Sequence, residues 1–198
     1  MITLFHQPRT RSSRFVFLLE ELGAPYELRT VTVQRGDGTG GRDPANPHPH
    51  SKVPAIADGG EVVFESSAIA LYLTDKFPAN GIGPRVGEPG RGAYLSWLAY
   101  YCGVMEPAWT MRFLNIELPR GMPGWPPADE AMAYTMGVLE GRPYLLGDQF
   151  SAADILIGTT FAMFMGSPNL PKTPLLEAYV QRVVGRPAYA KAMALAGD

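Results

Sequence analysis

The chain has 198 residues, of which 46% are hydrophobic and 18% are charged, and its formal net charge is -2. A chain of this length and composition buries a substantial core as one domain or two small ones, which excludes general disorder. The charge has no basic bias, which argues against a nucleic acid or an anionic membrane as the partner.

The first part of the chain alternates between strand and helix patterns. An apolar run with β-branched and aromatic residues predicts a strand over residues 2–6. Apolar residues at helical spacing predict a helix over residues 12–22, which Gly23 closes, and an alternating pattern predicts a second strand over residues 26–33. Residues 34–51 are rich in glycine and proline and indicate a long loop.

A hairpin and a helix follow the loop. The pattern predicts strands over residues 53–57 and 61–64, joined by a turn at residues 58–60, and then a helix over residues 66–77. Pro54 lies inside the first of these strands, although proline has no N–H to give to a sheet and normally occurs at edges, strand starts and bulges.

The rest of the chain carries helical patterns only. A segment rich in proline and glycine indicates a linker at residues 78–89. We therefore predict a mixed α/β domain at residues 1–77 and an all-helical domain at residues 90–198. The predicted helices of the second domain are 91–117, 129–140, 152–165, 174–184 and 187–196. Ser151 and Asp154 have the spacing of a capping box at the third of these helices.

Four stretches of this sequence, in this order, are similar to one family. They are PRTRSSRFVFLLEELGAPYEL, KVPAI, FESSAIALYL and YLLGDQFSAADILIG. Together they resemble the cytosolic glutathione transferases, in particular bacterial theta-, beta- or nu-like members of the Ser/Thr type. The resemblance spans essentially the whole chain, and it implies a thioredoxin-like N-terminal domain followed by an all-helical C-terminal domain.

The resemblance implies a binding site for glutathione. It implies a cis bond before Pro54, so that the Val53 backbone pairs with the cysteinyl backbone of the tripeptide. Ser66 would then donate to the γ-glutamyl carboxylate at a helix start, and Glu65 would accept from the ammonium group. Lys52 is the candidate for the glycyl carboxylate, with a solvated surface lysine as the alternative.

The chemistry that such a site needs is ionisation of a thiol whose ordinary pKa is about 8.5. Thr10 lies where theta-like relatives carry their catalytic serine, and Ser12 is the second candidate. Alternatively, Ser12 and Ser13 serve only as caps of the first helix. No tyrosine or cysteine occupies this turn, so the relatives that use an active-site cysteine are poor models.

The long loop departs from the family pattern, because DPANPHPHSKVP replaces the usual compact turn. His50 or His48 could reach the glycyl carboxylate of glutathione, and the alternative is two exposed loop histidines. We expect no metal site, since Asp43 is the only nearby carboxylate.

For the second substrate, the resemblance implies a pocket between the two domains. The candidate lining residues come from the early helices of the second domain, where several must also be core or dimer contacts. They are Tyr100, Tyr101, Met105, Trp109 and Arg112.

We therefore expect a glutathione transferase that activates the thiol of glutathione, its co-substrate, and adds it to a small hydrophobic electrophile, as in detoxification. The alternatives are a specialised dehalogenase, etherase, isomerase or peroxidase, or a non-catalytic protein-binding module of the same fold.

The single cysteine, Cys102, excludes an intrachain disulfide and fits a reducing compartment. No apolar run reaches the roughly 18 residues of a membrane span, so we expect a soluble cytoplasmic protein. By resemblance it forms a homodimer, and we expect no nucleic-acid or membrane partner.

Overall fold

A computed structural model describes residues 1–198. The chain forms two compact units. The first unit comprises Met1–Asn80 together with Arg186–Asp198, and the second comprises Gly81–Gly185. The C-terminal segment thus differs from the predicted division at 77 and 90, because residues 186–198 cluster with the N-terminal unit. None of the helices has the length and apolar character that crossing a bilayer requires.

The first unit is built on a four-stranded mixed sheet with the order β2-β1-β3-β4. β1 is Ile2–His6, β2 is Tyr26–Thr30, β3 is Ala55–Asp58 and β4 is Glu61–Phe64. β1 and β2 are parallel, whereas β3 is antiparallel to both β1 and β4. The predicted strand at 53–57 therefore begins two residues later, and Pro54 precedes the sheet, where its missing N–H removes no ladder hydrogen bond.

Three helices complete the first unit. α1 is Ser13–Leu22, α2 is Ser66–Lys76 and α8 is Pro187–Ala196. α1 ends at Gly23, which has a φ of 59° in the left-handed region that glycine adopts without a steric penalty. The buried core includes a set of apolar side chains at most 1% exposed: Leu4, Phe15, Leu18, Leu19, Ile56, Ile69 and Leu73.

α8 is held against α1 by charged and aromatic contacts. Arg186 donates two hydrogen bonds to the carboxylate of Glu21, at 2.6 and 2.8 Å. The rings of Phe17 and Tyr189 meet edge to face, with centroids 5.3 Å apart. Such bidentate and aromatic pairs have a specific geometry, and they explain why the end of the chain belongs to the first unit.

The second unit contains only helices. They are α3 (Arg91–Tyr100), α4 (Glu106–Phe113), α5 (Ala128–Leu139), α6 (Ala152–Phe164) and α7 (Pro174–Val184). The first ten residues of α6 are all buried, as expected of a helix that is apolar on every side. α6 and α7 approach closely at Gly158, where a Cβ atom would lie 2.7 Å from a methyl carbon of Val183.

The long helix predicted at residues 91–117 is interrupted. Tyr101–Met105 form one turn of π-helix between α3 and α4. Pro107 lies in the first turn of α4, where it cannot donate to a carbonyl of the preceding turn and its ring crowds that turn. The wider turn accommodates this proline, and the helix ends at Phe113.

The predicted capping box is present at the start of α6. The carboxylate of Asp154 accepts from the N–H and the hydroxyl of Ser151, both at 2.9 Å. It also accepts from the N–H of Leu145 at 2.9 Å and from the hydroxyl of Tyr179 at 3.1 Å. One buried side chain therefore joins the helix start to the preceding loop and to α7.

Candidate functional site

The sheet register brings three of the predicted segments to one end of the first unit. Phe5, near the end of β1, pairs with Ala55, the first residue of β3. Ala55 in turn pairs with Phe64, the last residue of β4. Because neighbouring strands lie about 4.8 Å apart, the segments beyond these residues emerge side by side. They are residues 7–12 after β1, residues 52–54 before β3, and residues 65–66 after β4.

The turn after β1 holds two hydroxyl groups in one hydrogen-bonded cluster. The Thr10 and Ser12 hydroxyl oxygens are 2.8 Å apart, and Thr10 donates to the carbonyl of Gln7 at 2.7 Å. Thr10 is partly exposed, whereas Ser12 is fully buried. Of the two candidates, only Thr10 is therefore within reach of solvent.

Ser12 does not cap α1 with its side chain, although it occupies the N-cap position. Its hydroxyl lies instead 2.8 Å from Nδ1 of His6 and accepts from the N–H of Gln7 at 3.1 Å. The alternative in which Ser12 is only a helix cap is therefore wrong, because its oxygen is turned toward β1. The hydroxyl of Ser13 is buried without a hydrogen-bond partner, so it does not cap the helix either.

The segment before β3 has the expected backbone. The Val53–Pro54 peptide bond is cis. The carbonyl of the preceding Lys52 accepts from the side-chain amide of Asn46 at 3.0 Å, and the Lys52 side chain is exposed. The side chain of Val53 packs against the buried cluster of Phe5, Val31 and Ala55.

The two histidines of the long loop differ from each other. His50 is exposed, as the alternative reading of the loop predicted, but His48 is buried. Nδ1 of His48 accepts from the N–H of His50 at 3.1 Å, and its ring meets Phe64 edge to face at 5.3 Å. Nε2 of His48 lies 4.0 Å from the carboxylate of Glu65. Burial lowers the pKa of His48, which the nearby Glu65 carboxylate partly offsets.

Glu65 and Ser66 stand where β4 passes into α2. Ser66 is the first residue of α2 and is buried, whereas 64% of the Glu65 side chain is exposed. The free N–H groups of a helix start favour a carboxylate, so Ser66 is placed to receive one. Glu65 is placed to receive a cation from solvent.

Backbone strain is concentrated in these same segments. Four residues other than glycine have a positive φ, and three of them are Arg9 at 55°, Ser51 at 51° and Glu65 at 72°. Such conformations cost about 1–3 kcal/mol each and are enriched at ligand-binding and active sites. Each segment that meets at the end of the sheet contains or directly follows one of these residues.

The candidates for the second substrate lie in the second unit. Tyr101, Met105 and Trp109 are at most 5% exposed, which leaves Tyr100 and Arg112 as the partly exposed members of the set. Arg112 lines a cavity of about 710 Å³ between the end of α4 and the start of α5, and it pairs there with Asp129.

Sequence reasoning missed His6, which it assigned only to a strand. It named His48 as a candidate for the glycyl carboxylate or, alternatively, as an exposed loop histidine, and it did not predict the burial of His48. Both are buried, and their partners are distant in sequence: Ala196 for His6 and Glu65 for His48. The only signal in the sequence was a histidine next to a segment dense in hydroxyl or proline residues.

Family models describe both parts of the chain. The model "Glutathione S-transferase, N-terminal domain" matches residues 1–75, and "Glutathione S-transferase, C-terminal domain" matches residues 127–187. Glutathione S-transferase 3 of Schizosaccharomyces pombe is 38% identical over 172 residues, which cover 78% of this chain and 70% of that protein. The chain belongs to the glutathione S-transferase family.

Solved structures of other glutathione transferases have the same fold over the full length. A glutathione transferase from Methylococcus capsulatus is 30% identical with a TM-score of 0.81, over 100% of this chain and 99% of that one. A sphingomonad glutathione S-transferase, whose structure was solved as a complex with glutathione, is 29% identical with a TM-score of 0.74, over 98% of each chain. The thioredoxin-like first unit and the helical second unit are those of this family.

Proposed function

We propose that this protein is a glutathione transferase that ionises the thiol of glutathione and adds the thiolate to a small hydrophobic electrophile. The observation that carries the proposal is the meeting of three segments at one end of the sheet: the hydroxyl turn, the cis Val53–Pro54 bond and the start of α2. Family membership and the glutathione complex of a sphingomonad relative support it.

The tripeptide would bind along these segments as an added strand. The Val53 backbone, which lies just before β3 and outside the sheet ladder, pairs with the cysteinyl backbone through main-chain hydrogen bonds of the kind that an added strand makes. Ser66 donates to the γ-glutamyl carboxylate at the start of α2, and Glu65 accepts from the ammonium group. Lys52 and His50, which are both exposed, are the groups proposed for the glycyl carboxylate.

Thr10 would activate the thiol. Lowering the thiol pKa by about two units requires roughly 2.7 kcal/mol of preferential stabilisation of the thiolate. A hydroxyl hydrogen bond and the start of α1 together are of that order. The thiolate sulfur then forms a bond to the electrophilic carbon. The displaced electron pair leaves with the leaving group in a substitution, or, in an addition, stays on the substrate atom that takes up a proton from solvent. Tyr100 and Arg112 are the side chains proposed to contact that substrate.

The test is the thiolate absorbance of bound glutathione as a function of pH. Thr10→Val keeps the shape of the side chain without the hydroxyl, so we expect the thiol pKa to rise by about one to two units while glutathione still binds. Thr10→Ser is the matched control and should keep the low pKa. Binding with an unshifted pKa in the wild type would indicate a non-catalytic binding module, and no binding would refute the proposal.

We further propose that the protein is a cytoplasmic homodimer, as is usual in this family. Val62 and Phe64 are 42% and 40% exposed on β4, which is an edge strand. Exposed apolar edges of this kind are normally covered in native proteins. Sedimentation equilibrium should give twice the chain mass of 21.5 kDa, and a monomer at all concentrations would contradict this.

A further inference from the structure

His6 connects the hydroxyl turn to the C-terminal end of α8. It is the last residue of β1 and is 1% exposed. Its Nδ1 atom lies 2.8 Å from the Ser12 hydroxyl, and its Nε2 atom lies 2.9 Å from the carbonyl oxygen of Ala196. Both ring nitrogens of a buried histidine are therefore engaged, one of them at the proposed thiol-activating turn.

The two partners fix the tautomer of the ring. A carbonyl oxygen can only accept, so Nε2 carries a proton and donates it to Ala196. Burial lowers the pKa of His6, an effect that the Ala196 carbonyl and the Asp198 carboxylate only partly offset, and this favours the neutral ring at neutral pH. Nδ1 then has a lone pair that accepts from the hydroxyl of Ser12 at 2.8 Å, a shorter contact than the 3.3 Å from that hydroxyl to the carbonyl of Gln7.

The tautomer of His6 determines which hydroxyl of the turn donates and which accepts. Because Ser12 donates to His6, its oxygen can only accept from Gln7 and from Thr10. The oxygen of Thr10 accepts from the N–H of Ser12 at 3.2 Å. The one hydroxyl proton of the turn that is free to change partners is that of Thr10, which now points to the Gln7 carbonyl or to Ser12.

We infer that His6 is a positioning residue of the thiol-activating turn: it accepts the hydrogen bond of the Ser12 hydroxyl, which makes the Ser12 oxygen an acceptor within the turn, and it leaves Thr10 as the donor to the glutathione thiolate. The inference rests on the proposed function, because it assumes that glutathione is the ligand of the turn. His6 touches neither substrate and acts through Ser12 and Thr10.

α8 has a part in this arrangement. Ala196 is the last residue of α8, and α8 is anchored on α1 by the Arg186–Glu21 pair and by Lys191, which lies 2.5 Å from Glu20. The carbonyl that selects the tautomer of His6 is thus held by contacts along the whole helix. The C-terminal segment contacts the turn through this hydrogen bond and through the carboxylate of Asp198, which accepts from the N–H of Arg9.

Two variants of His6 each keep only one of its two hydrogen bonds and so test the ring nitrogens one at a time. The side-chain amide of asparagine ends where Nδ1 lies, so His6→Asn can still bond Ser12. The amide of glutamine reaches as far as Nε2, so His6→Gln can still bond Ala196 but presents carbon to Ser12. Without Nδ1, the Ser12 hydroxyl has only the Gln7 carbonyl, 3.3 Å away, to donate to, and Thr10 already donates to that carbonyl. The two hydroxyls then compete for one acceptor, and the Thr10 hydroxyl is held less firmly. Preorganised donors are worth most when their own partners are fixed.

The readout is the pKa of bound glutathione thiol, measured by thiolate absorbance in the full-length protein. We expect His6→Gln to raise it by about one unit, the size of one hydrogen bond, and His6→Asn to stay near the wild type. In a Thr10→Val background, His6→Gln should add no further shift, because residues that act as a unit are not additive. An unchanged pKa in His6→Gln, or an equal shift in both backgrounds, would overturn the inference.

Two controls keep the result interpretable. If both His6 variants lose the same thermal stability and both lose the lowered pKa of the bound thiol to the same extent, His6 only supports the fold, and the inference is overturned. Nitrogen-15 NMR of the histidine rings reports the tautomer without any ligand: a proton on Nδ1 of His6 would overturn the inference even if glutathione binds. Failure of the wild type to bind glutathione would instead refute the proposed function, whatever the tautomer.

Discussion

At the scale of single residues, the site depends on side chains whose surroundings give them different tasks. Ser12 and Thr10 share a turn and a hydrogen bond, yet one is buried and the other partly exposed. The family resemblance named Thr10 first and Ser12 second as candidates in this turn. The sequence did not show which hydroxyl is buried, because that depends on His6 and on a helix nearly the whole chain length away.

Glu65 gives the first prediction at this scale. Glu65→Gln keeps a hydrogen-bond acceptor but removes the charge that we propose faces the glutathione ammonium, so the dissociation constant should rise about 10- to 30-fold. The melting temperature should not change, because 64% of the side chain is exposed. Calorimetric titration with glutathione measures the effect, and Glu61→Gln at the other end of β4 is the matched control.

An analogue of glutathione without the α-amino group tests whether the effect of Glu65→Gln depends on the ammonium group. It should bind wild type and Glu65→Gln with equal affinity, since it lacks the group that Glu65 recognises. A loss of affinity for the analogue in Glu65→Gln would show that Glu65 acts on something other than the ammonium.

His48 makes stability depend on pH. Because burial lowers its folded-state pKa below the ordinary value of 6.5, the unfolded chain binds more protons once the pH falls below that value. The stability that the neutral ring provides is present above pH 6.5 and is lost toward acid, with a slope of at most about 1.4 kcal/mol per pH unit. His6 contributes in the same direction, since its pKa is also lowered by burial.

Urea unfolding between about pH 5 and pH 8 tests this sign. His48→Gln should flatten the acid side of the stability curve, whereas His50→Gln, at an exposed position, should leave the curve as in the wild type. An identical slope in wild type and His48→Gln would show that His48 does not carry this dependence.

At the scale of elements, local patterns predicted most of the structure. The starts of β1 and β4, the α6 capping box and the bounds of α7 and α8 all agree with sequence periodicity and cap residues. The exception is the helix predicted at 91–117, which contains the π-helical turn Tyr101–Met105. The spacing of apolar residues does not reveal a single turn of π-helix. Pro107 was therefore the only feature of the sequence that indicated an interruption of this helix.

Asp154 gives the prediction for elements. Asp154→Ala removes the acceptor of four hydrogen bonds and leaves buried donors of Ser151, Leu145 and Tyr179 without a partner. We expect a loss of roughly 3 kcal/mol in the free energy of unfolding. Asp154→Asn keeps the volume and one acceptor, so it should lose about half as much.

Equilibrium urea denaturation measures both variants, and glutathione binding is measured without urea as the control. The affinity of the folded fraction should be unchanged, because Asp154 lies in the second unit and the proposed tripeptide site lies in the first. A variant of normal stability with lost binding would contradict the purely structural role of Asp154.

At the scale of the whole molecule, the sequence predicted the fold but assigned one segment to a different unit. Helical patterns after the linker run without interruption to the C-terminus, and nothing in their spacing marks the last helix as a partner of α1. That assignment depends on pairs far apart in sequence, such as Arg186 with Glu21 and Tyr189 with Phe17. Periodicity shows which face of α8 is apolar but not which surface that face meets.

The last prediction concerns this segment. A chain that ends at Gly185 loses α8 and with it the partners of Glu21, Phe17 and His6. If residues 186–198 are part of the first unit, hydrogen exchange should become faster in α1 and β1 before it does so in α6. Glutathione affinity should fall as well, since the hydroxyl turn follows β1 directly.

A chain that ends at Gly197 is the matched control, because it keeps the Arg186–Glu21, Tyr189–Phe17 and Ala196–His6 contacts. It loses the Asp198 carboxylate near the N–H of Arg9 and the bond from the Asp198 N–H to the carbonyl of Met193. Its exchange in α1 should match the full chain. If the shorter chain instead loses protection first in α6 and α7, the last helix supports the second unit, and the division at residues 77 and 90 describes the protein better. Because the two outcomes affect different helices, exchange mass spectrometry on this pair of truncations distinguishes them directly.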